Sequence, residues 1–245
     1  MTDSFIIIVP ARAGSTRLPN KPLAMINGRS VISRIIDLAN ASNASHTFIA
    51  TDSNDIKDHC ENYGANVVMT SSDHISGMDR IAEAAKKLDL SPDIPIVNLQ
   101  GDEPFMPVEI INKLPGMLSK DIPISTACIK FSNKMDFNSP HEVKVVSSLS
   151  KKAMYFSRSV IPNASVGDYK NYRKHLGIYS YTNKTLQDLS ALQPTEIEES
   201  EKLEQLRFLE NDFSIIVEEF EYEAPIGIDT PEDLEAATIF AKKND

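Results

Sequence analysis

Five strand-forming apolar residues, Phe5-Ile6-Ile7-Ile8-Val9, run straight into Pro10-Ala11-Arg12-Ala13-Gly14-Ser15-Thr16-Arg17-Leu18-Pro19-Asn20-Lys21-Pro22, a small-residue loop carrying three cations. Such a beginning points to a buried strand whose carboxyl end opens at the edge of a parallel sheet. There the loop's backbone N–H groups and the fixed charges of Arg12, Arg17 and Lys21 make a place for phosphates. The charge pattern agrees. Residues 4 to 36 contain no Asp or Glu in a chain that holds 35 acids among 245 residues, and Arg12, Arg17, Lys21, Arg29 and Arg34 stand there instead. Neither G-x-x-x-x-G-K-[ST] nor G-x-G-x-x-G follows the strand, which disfavours a P-loop kinase or a standard dinucleotide binder.

Downstream, the apolar spacing alternates between helix and strand. Val31, Ile32, Ile35, Ile36 and Ala39 predict a helix, and Phe48-Ile49-Ala50 a strand ending at Thr51-Asp52. Asn54 is placed to cap a helix from Ile56 to Tyr63 that Gly64 ends, before a third strand at Val67-Val68-Met69. The loop from Thr70 to Gly77 leads into a helix with Ile81, Ala84, Ala85 and Leu88 on one face. Ile94 to Leu99 is then a buried strand ending in Gln100-Gly101-Asp102-Glu103-Pro104. Repeated βα units predict a parallel sheet covered by helices, with ligand sites along the strand carboxyl ends.

From about residue 130 the pattern changes: Val143–Val146 and Ala153–Ser157 predict strands joined by a turn near Ser150, an antiparallel addition. Tyr169, Tyr172, Tyr179 and Tyr181 crowd around Arg173-Lys174-His175 in a chain of seven tyrosines, which suits a subunit contact or a sugar pocket. Thr195 with Glu198 forms a capping-box pattern ahead of a helix bearing Leu203, Leu206 and Leu209. That phase turns Glu204 and Gln205 away from the core-facing stripe and leaves them to a ligand. Thr230-Pro231-Glu232-Asp233 is a strong helix start, with Asp229 just outside it.

An apolar fraction of 41% without any linker or low-complexity tract predicts one α/β domain over residues 1–245, with an inserted lobe around 130–185. The net charge of −10 argues against nucleic-acid or anionic-membrane binding through bulk electrostatics. Cys60 and Cys128 form no metal-like cluster, and the N-terminal apolar run is too short for a signal or a span, so reduced thiols in a cytoplasm are expected.

Two aspartates are the most consequential candidates. Magnesium takes hard oxygen ligands, usually one or two carboxylates with phosphates and water, so Asp102 at a strand end and Asp229 beside a late helix suit a metal triphosphate if they converge. Read alone, Asp102 is equally a turn acid and Asp229 a support for the capped helix. Arg80, Arg158, Arg173 and His175 are of the types that hold an acidic sugar, although any one arginine also fits a surface ion pair. The histidines at 46, 59, 74 and 141 have no ligand spacing.

The motif P-A-R-x-x-S-T-R-L-P-x-K-P resembles the nucleotide-binding signature of the sugar nucleotidyltransferases. Among these it most resembles the 3-deoxy-manno-octulosonate (Kdo) cytidylyltransferase family, the CMP-Kdo synthetases. The resemblance continues in order through Ala50-Thr51-Asp52, Ser76-Gly77-Met78-Asp79-Arg80, Val97-Asn98-Leu99-Gln100-Gly101-Asp102-Glu103-Pro104 and Tyr155-Phe156-Ser157-Arg158. It ends with Arg173-Lys174-His175-Leu176-Gly177-Ile178-Tyr179, Leu203-Glu204-Gln205-Leu206-Arg207 and Gly227-Ile228-Asp229-Thr230-Pro231-Glu232-Asp233, so that it spans essentially the whole chain.

That resemblance implies a three-layer α/β/α nucleotidyltransferase fold with a mostly parallel sheet and a small antiparallel insertion. It implies transfer of CMP from CTP to Kdo, or to its 8-amino-8-deoxy analogue, with release of pyrophosphate, for lipopolysaccharide biosynthesis by a homodimer that uses Mg2+. By position, Arg12, Lys21, Asp102 and Asp229 would be catalytic, with Asp102 and Asp229 on the metal. Pro10, Ala11, Arg12, Arg17, Lys21, Thr51, Asp52, Ser76, Gly77 and Gln100 would bind the nucleotide. Arg80, Gln100, Arg158, His175, Tyr179, Glu204 and Gln205 would bind the sugar. Two departures stand out: Met78-Asp79 where the family usually has Thr-Glu, and Asn20 where it usually has Gly. The first leaves the exact sugar open. A cytidylyltransferase for a sialic acid and a non-catalytic nucleotide-sugar binding module are the rival readings, and the retained Asp102 and Asp229 argue against the second.

Overall fold

The first strand sets the layering. In β1 (Ile6–Ala11), Ile7 and Val9 join one apolar cluster while Ile6 and Ile8 join another, and all four are buried. A strand that is apolar on both faces must be covered on both, since each buried isoleucine contributes roughly 1.5–3 kcal/mol relative to exposure. The structure, a computed structural model, describes residues 4–15, 17–132, 134–163 and 172–245. Thr16 of the cationic loop and Tyr169 of the tyrosine group lie outside the described residues.

After β1 come a small hairpin, β2 (Met25–Ile26) and β3 (Arg29–Ser30), then α1 (Val31–Asn40), β4 (His46–Thr51), α2 (Asn54–Asn62), β5 (Asn66–Met69), α3 (Gly77–Lys87) and β6 (Pro95–Asn98). The middle of the chain gives α4 (Val108–Lys113), β7 (Ile124–Lys130), α5 (Lys134–Asn138), β8 (Lys144–Ser147), β9 (Ala153–Ser157) and the long β10 (Arg173–Thr182). The last part gives α6 (Asn183–Ser190), α7 (Glu196–Glu201), α8 (Gln205–Glu210), β11 (Ile215–Phe220) and α9 (Pro231–Asn244).

The central sheet runs β11-β7-β10-β6-β1-β4-β5. β1 pairs in parallel with β4 and β6, and β4 with β5, as the repeated βα units predict. β10 is antiparallel to both of its neighbours, β6 and β7. Hairpin β8–β9 pairs with the first residues of β10, so the described part of the region around 130–185 continues the central sheet. Residues of α1 and α9 pack with Ile7 and Val9 on one face, and residues of α3, α6 and α8 pack with Ile6 and Ile8 on the other. This is the expected three-layer α/β/α arrangement. Among the described residues no helix is long and apolar enough to cross a membrane.

Three local expectations are corrected. Helix α2 is capped by Ser53, whose Oγ accepts from Ile56 N at 3.4 Å, and Asn54 is its first residue. The helix predicted after Thr195 is two short helices broken at Lys202, which takes a left-handed φ of 56°. Gln205 is consequently buried beside Leu206 and Phe208 rather than turned outward. The described tyrosines of the 169–181 group divide: Tyr172 packs with Phe131 and Phe137 in a small separate cluster, and Tyr181 is buried on one face of the central sheet.

One glycine governs how the site is closed. A Cβ on Gly101 would stand 2.4 Å from the Pro10 carbonyl oxygen, so only glycine lets the loop after β6 lie against the end of β1. We expect Gly101→Ala to lower unfolding stability by about 1–3 kcal/mol, the usual cost of forcing atoms into packed space. Gly116→Ala, where a Cβ meets nothing within 4 Å, serves as the control and should leave stability nearly unchanged. Urea titration of both variants checks this; equal stability of the two would refute the close-approach argument.

Candidate active site

The carboxyl ends of β1 and β6, the N-terminus of α3 and the residue ahead of α9 surround a cavity of about 380 Å3. Local chain chemistry fixes each wall. Asn20 takes a left-handed φ of 53°, a conformation easiest for glycine and next easiest for asparagine. Lys21 then opens a short 3-10 turn with the buried Pro22. Ile228 N donates to the Asp102 carbonyl at 2.8 Å, which ties the two aspartate segments together through the backbone. The Asp233 carboxylate accepts from the N–H groups of Asp229 at 3.0 Å and Thr230 at 2.8 Å, so the capping box of α9 also orients Asp229.

The two aspartates converge. Lys21 Nζ donates to Asp102 Oδ2 at 2.7 Å and to Asp229 Oδ1 at 3.0 Å, and Arg17 Nη2 lies 3.2 Å from Asp229 Oδ2. Burial on its own would lower the Lys21 pKa, but the two carboxylates outweigh it and hold the ammonium above its ordinary value. Burial likewise works to raise Asp229, and Lys21 and Arg17 reverse that and hold it below the usual carboxylate range. Arg12, Ser15 and Arg17 line the same cavity from the loop after β1.

Opposite them, Ile75, Ser76 and Gly77 form the far wall, with Gln100 between. Ser76 caps α3 by accepting from Asp79 N at 3.1 Å. Arg80 also lines the cavity, but its buried guanidinium donates to Asp52 at 2.8 Å and to Thr70 Oγ1 at 2.6 Å. Thr51 and Asp52 stand behind the wall, where the Asp52 carboxylate receives Ala13 N at 3.4 Å and so braces the cationic loop.

Gln100 also belongs to a second, smaller cavity of about 30 Å3, whose walls include Met78, Asn98, Tyr179, Glu204, Gln205 and Phe208. That volume holds about one water, so a larger ligand group needs these side chains to move. Glu204 is half-buried by surface and deeply enclosed at its carboxyl, where burial raises the pKa against the Ser76 hydroxyl and Arg207. Among the described residues its Oε1 has no hydrogen-bond partner.

Arg158 and His175 line neither cavity. The Arg158 guanidinium donates to the carbonyls of Glu201 at 2.9 Å, Pro140 at 3.1 Å and Lys202 at 3.3 Å, while its own carbonyl accepts from the buried Lys144 ammonium at 2.9 Å. His175 sits beneath Phe156 and Tyr179. The Thr126 hydroxyl donates to Ile178 O at 2.7 Å, so its oxygen is left to accept from His175 Nε2–H at 2.9 Å.

Sequence reasoning gave no site role to Ser15, Pro22, Ile75 and Gly101 in the larger cavity or to Asn98 and Phe208 in the smaller one. The first four adjoin assigned residues in the same loops, which is the signal that could have found them. Glu103 was also missed: it is wedged against Gly227, and burial, reinforced by Asp102, pushes its carboxyl up to about 8.

Residues 6–219 match the family described as cytidylyltransferase. A 3-deoxy-manno-octulosonate cytidylyltransferase of Polynucleobacter necessarius is 41% identical over 236 residues, covering 94% of this chain and 93% of its own length. The solved structure of a CMP:2-keto-3-deoxy-manno-octonic acid synthetase complexed with CTP superposes with a TM-score of 0.91 at 34% identity, covering 99% of this chain and 100% of that one. A 4-diphosphocytidyl-2C-methyl-D-erythritol synthase from Anaerococcus prevotii shares the fold alone, with a TM-score of 0.63 at 16% identity over 98% of this chain and 99% of that one.

His175 gives this region a pH signature. Burial pushes its pKa from 6.5 down to about 3, so the folded state resists a proton that the unfolded chain accepts below pH 6.5. Its contribution is complete above that pH and is lost as pH falls toward 3, by up to about 1.4 kcal/mol per pH unit. Unfolding titrations between pH 7 and 5 should show a shallower pH slope in His175→Gln than in the wild type. An identical slope would contradict the assignment.

Proposed function

The chain belongs to the cytidylyltransferase family, and from that premise we propose that it transfers CMP from CTP to 3-deoxy-manno-octulosonate and releases pyrophosphate. The observation that carries the reading is the meeting of Arg17, Lys21, Asp102 and Asp229 at one end of a cavity bounded by strand carboxyl ends. A triphosphate and a cationic loop are complementary in charge. The sugar's anomeric hydroxyl attacks the α-phosphorus in line and gives up its proton to solvent, the bond from that phosphorus to the bridging oxygen breaks, and pyrophosphate leaves with the electron pair. Arg12, Arg17 and Lys21 offset the charge that collects on the leaving group. Such chemistry proceeds by positioning and charge stabilisation, without a covalent intermediate on the protein.

Two carboxylates within hydrogen-bond reach of one cation are a donor set that suits Mg2+, which takes one or two carboxylates alongside phosphates and water. Asp102 and Asp229 would hold that ion, and it would supply Lewis-acid activation at the α-phosphate. Gln100 joins the two cavities, so a nucleotide in the larger has its neighbour in the smaller, where Tyr179, Glu204 and Gln205 would meet the sugar. Glu204 there favours a ligand that brings hydrogen-bond donors, and an ammonium-bearing 8-amino sugar would be the stronger donor of the two candidates. We further read the protein as a cytoplasmic homodimer, a reading supported by the exposed apolar side chains of Leu149 and Met154 on hairpin β8–β9. Light scattering at micromolar concentration should give twice the chain mass; a monomer would reject that reading.

Pyrophosphate release with CTP and a panel of sugars tests the activity. Turnover is expected with Kdo and not with a sialic acid, and product mass should report CMP-Kdo. Asp102→Asn and Asp229→Asn should each cut kcat by about 100-fold or more while the proteins stay folded. No product with any acidic sugar would sink the transferase reading.

A further inference from the structure

The ammonium of Lys21 occupies the point between Asp102 and Asp229 that a divalent cation would need. Its Nζ makes contacts of 2.7 and 3.0 Å, its side chain is only 15% exposed, and Arg17 adds a second cation 3.2 Å from Asp229. Two carboxylates facing two fixed cations present no net charge. Among the described residues no group of three or more His, Cys, Asp or Glu stands ready to hold an ion. An ion that arrives alone must break both of the ammonium's hydrogen bonds and would gain only two carboxylates that were already neutralised.

A polyphosphate alters that balance. It brings several negative charges into the cavity lined by Arg12, Arg17 and Lys21, and so offers the ammonium new partners. Pro22 and the 3-10 turn hold the Lys21 backbone, while the four-carbon stem leaves the ammonium free to swing. We propose that Lys21 is an internal counter-cation that keeps divalent ions off the Asp102–Asp229 pair until a polyphosphate draws its ammonium away. Metal and nucleotide thereby bind interdependently: each raises the affinity of the other because both act on the same ammonium. The inference rests on the transferase reading for the identity of the polyphosphate; the blocking role rests on the geometry alone.

The test uses Mn2+ as the probe, with protein-bound ion read by water-proton relaxation, which separates it from Mn2+–CTP in solution. Without nucleotide at constant neutral pH, Lys21→Met and Lys21→Gln should bind Mn2+ about ten-fold more tightly than the wild type. Adding Asp229→Asn to either variant should remove the gain. The amide of Lys21→Gln can still donate to the carboxylates, which keeps the test valid if the methionine variant folds poorly. Equal Mn2+ affinity in the wild type and both variants overturns the proposal, and so does a gain that survives Asp229→Asn. With CTP present and no sugar, wild-type affinity should rise to meet that of the variants; a gap that persists at saturating CTP overturns the release by polyphosphate. If the Mn2+ difference and its closure by CTP stand while no sugar yields pyrophosphate, the transferase reading fails and the role of Lys21 holds.

Discussion

A single ammonium draws together parts of the chain that are far apart in sequence. Lys21 lies 81 residues from Asp102 and 208 from Asp229, and it hydrogen-bonds to both. Its position depends on local features away from the ammonium itself: the bare Cα of Gly101 against Pro10, the Ile228 to Asp102 hydrogen bond, and the capping box that Asp233 completes at the start of α9. Remove the ammonium and two carboxylates face each other at a half-buried point, which favours neither their ionisation nor the approach of the loops that carry them.

The two cavities differ in how they are charged and closed. The larger is open, with cations at its rim, and Arg17 there is 60% exposed at its side chain. The smaller is walled by Met78, Phe208 and two tyrosines, with an unpartnered Glu204 oxygen inside. A buried acceptor left without a partner costs roughly 1–3 kcal/mol, and a ligand that supplies the missing donor recovers it. The small cavity therefore presents an unmatched acceptor, and the large one carboxylates already balanced by cations.

Much of this was legible in the residues. The double-faced apolar pattern of Ile6 to Val9 demanded a covered strand, and the acid-free stretch from 4 to 36 marked the loop after it. Thr230 and Asp233 announced their helix and cap, and both were found. What stayed hidden depended on distance in space. The phase of α8 follows from a left-handed Lys202, a conformation that periodicity does not register, and this turned Gln205 inward. The interior place of His175 follows from what covers β10 there: Phe156 of hairpin β8–β9 meets its ring, and Thr126 of β7 meets its Nε2 across a stretch where the register of β10 shifts. A bulge of that kind has no pattern in a single sequence.

The antiparallel β10 also sets the order in which the sheet can be completed as the chain leaves the ribosome. Strands β1, β4, β5 and β6 are all synthesised by residue 98, and they pair side by side without help from later segments. The next strand on the open side of β6 is β10, which begins only at residue 173, and β7 and β11 reach the sheet only through it. A nascent chain therefore carries an unpaired hydrogen-bonding edge on β6 while more than a quarter of its length is still being made, which is the kind of edge that invites association with another chain. Slow translation ahead of residue 173 prolongs that exposure, and rapid delivery of β10 ends it.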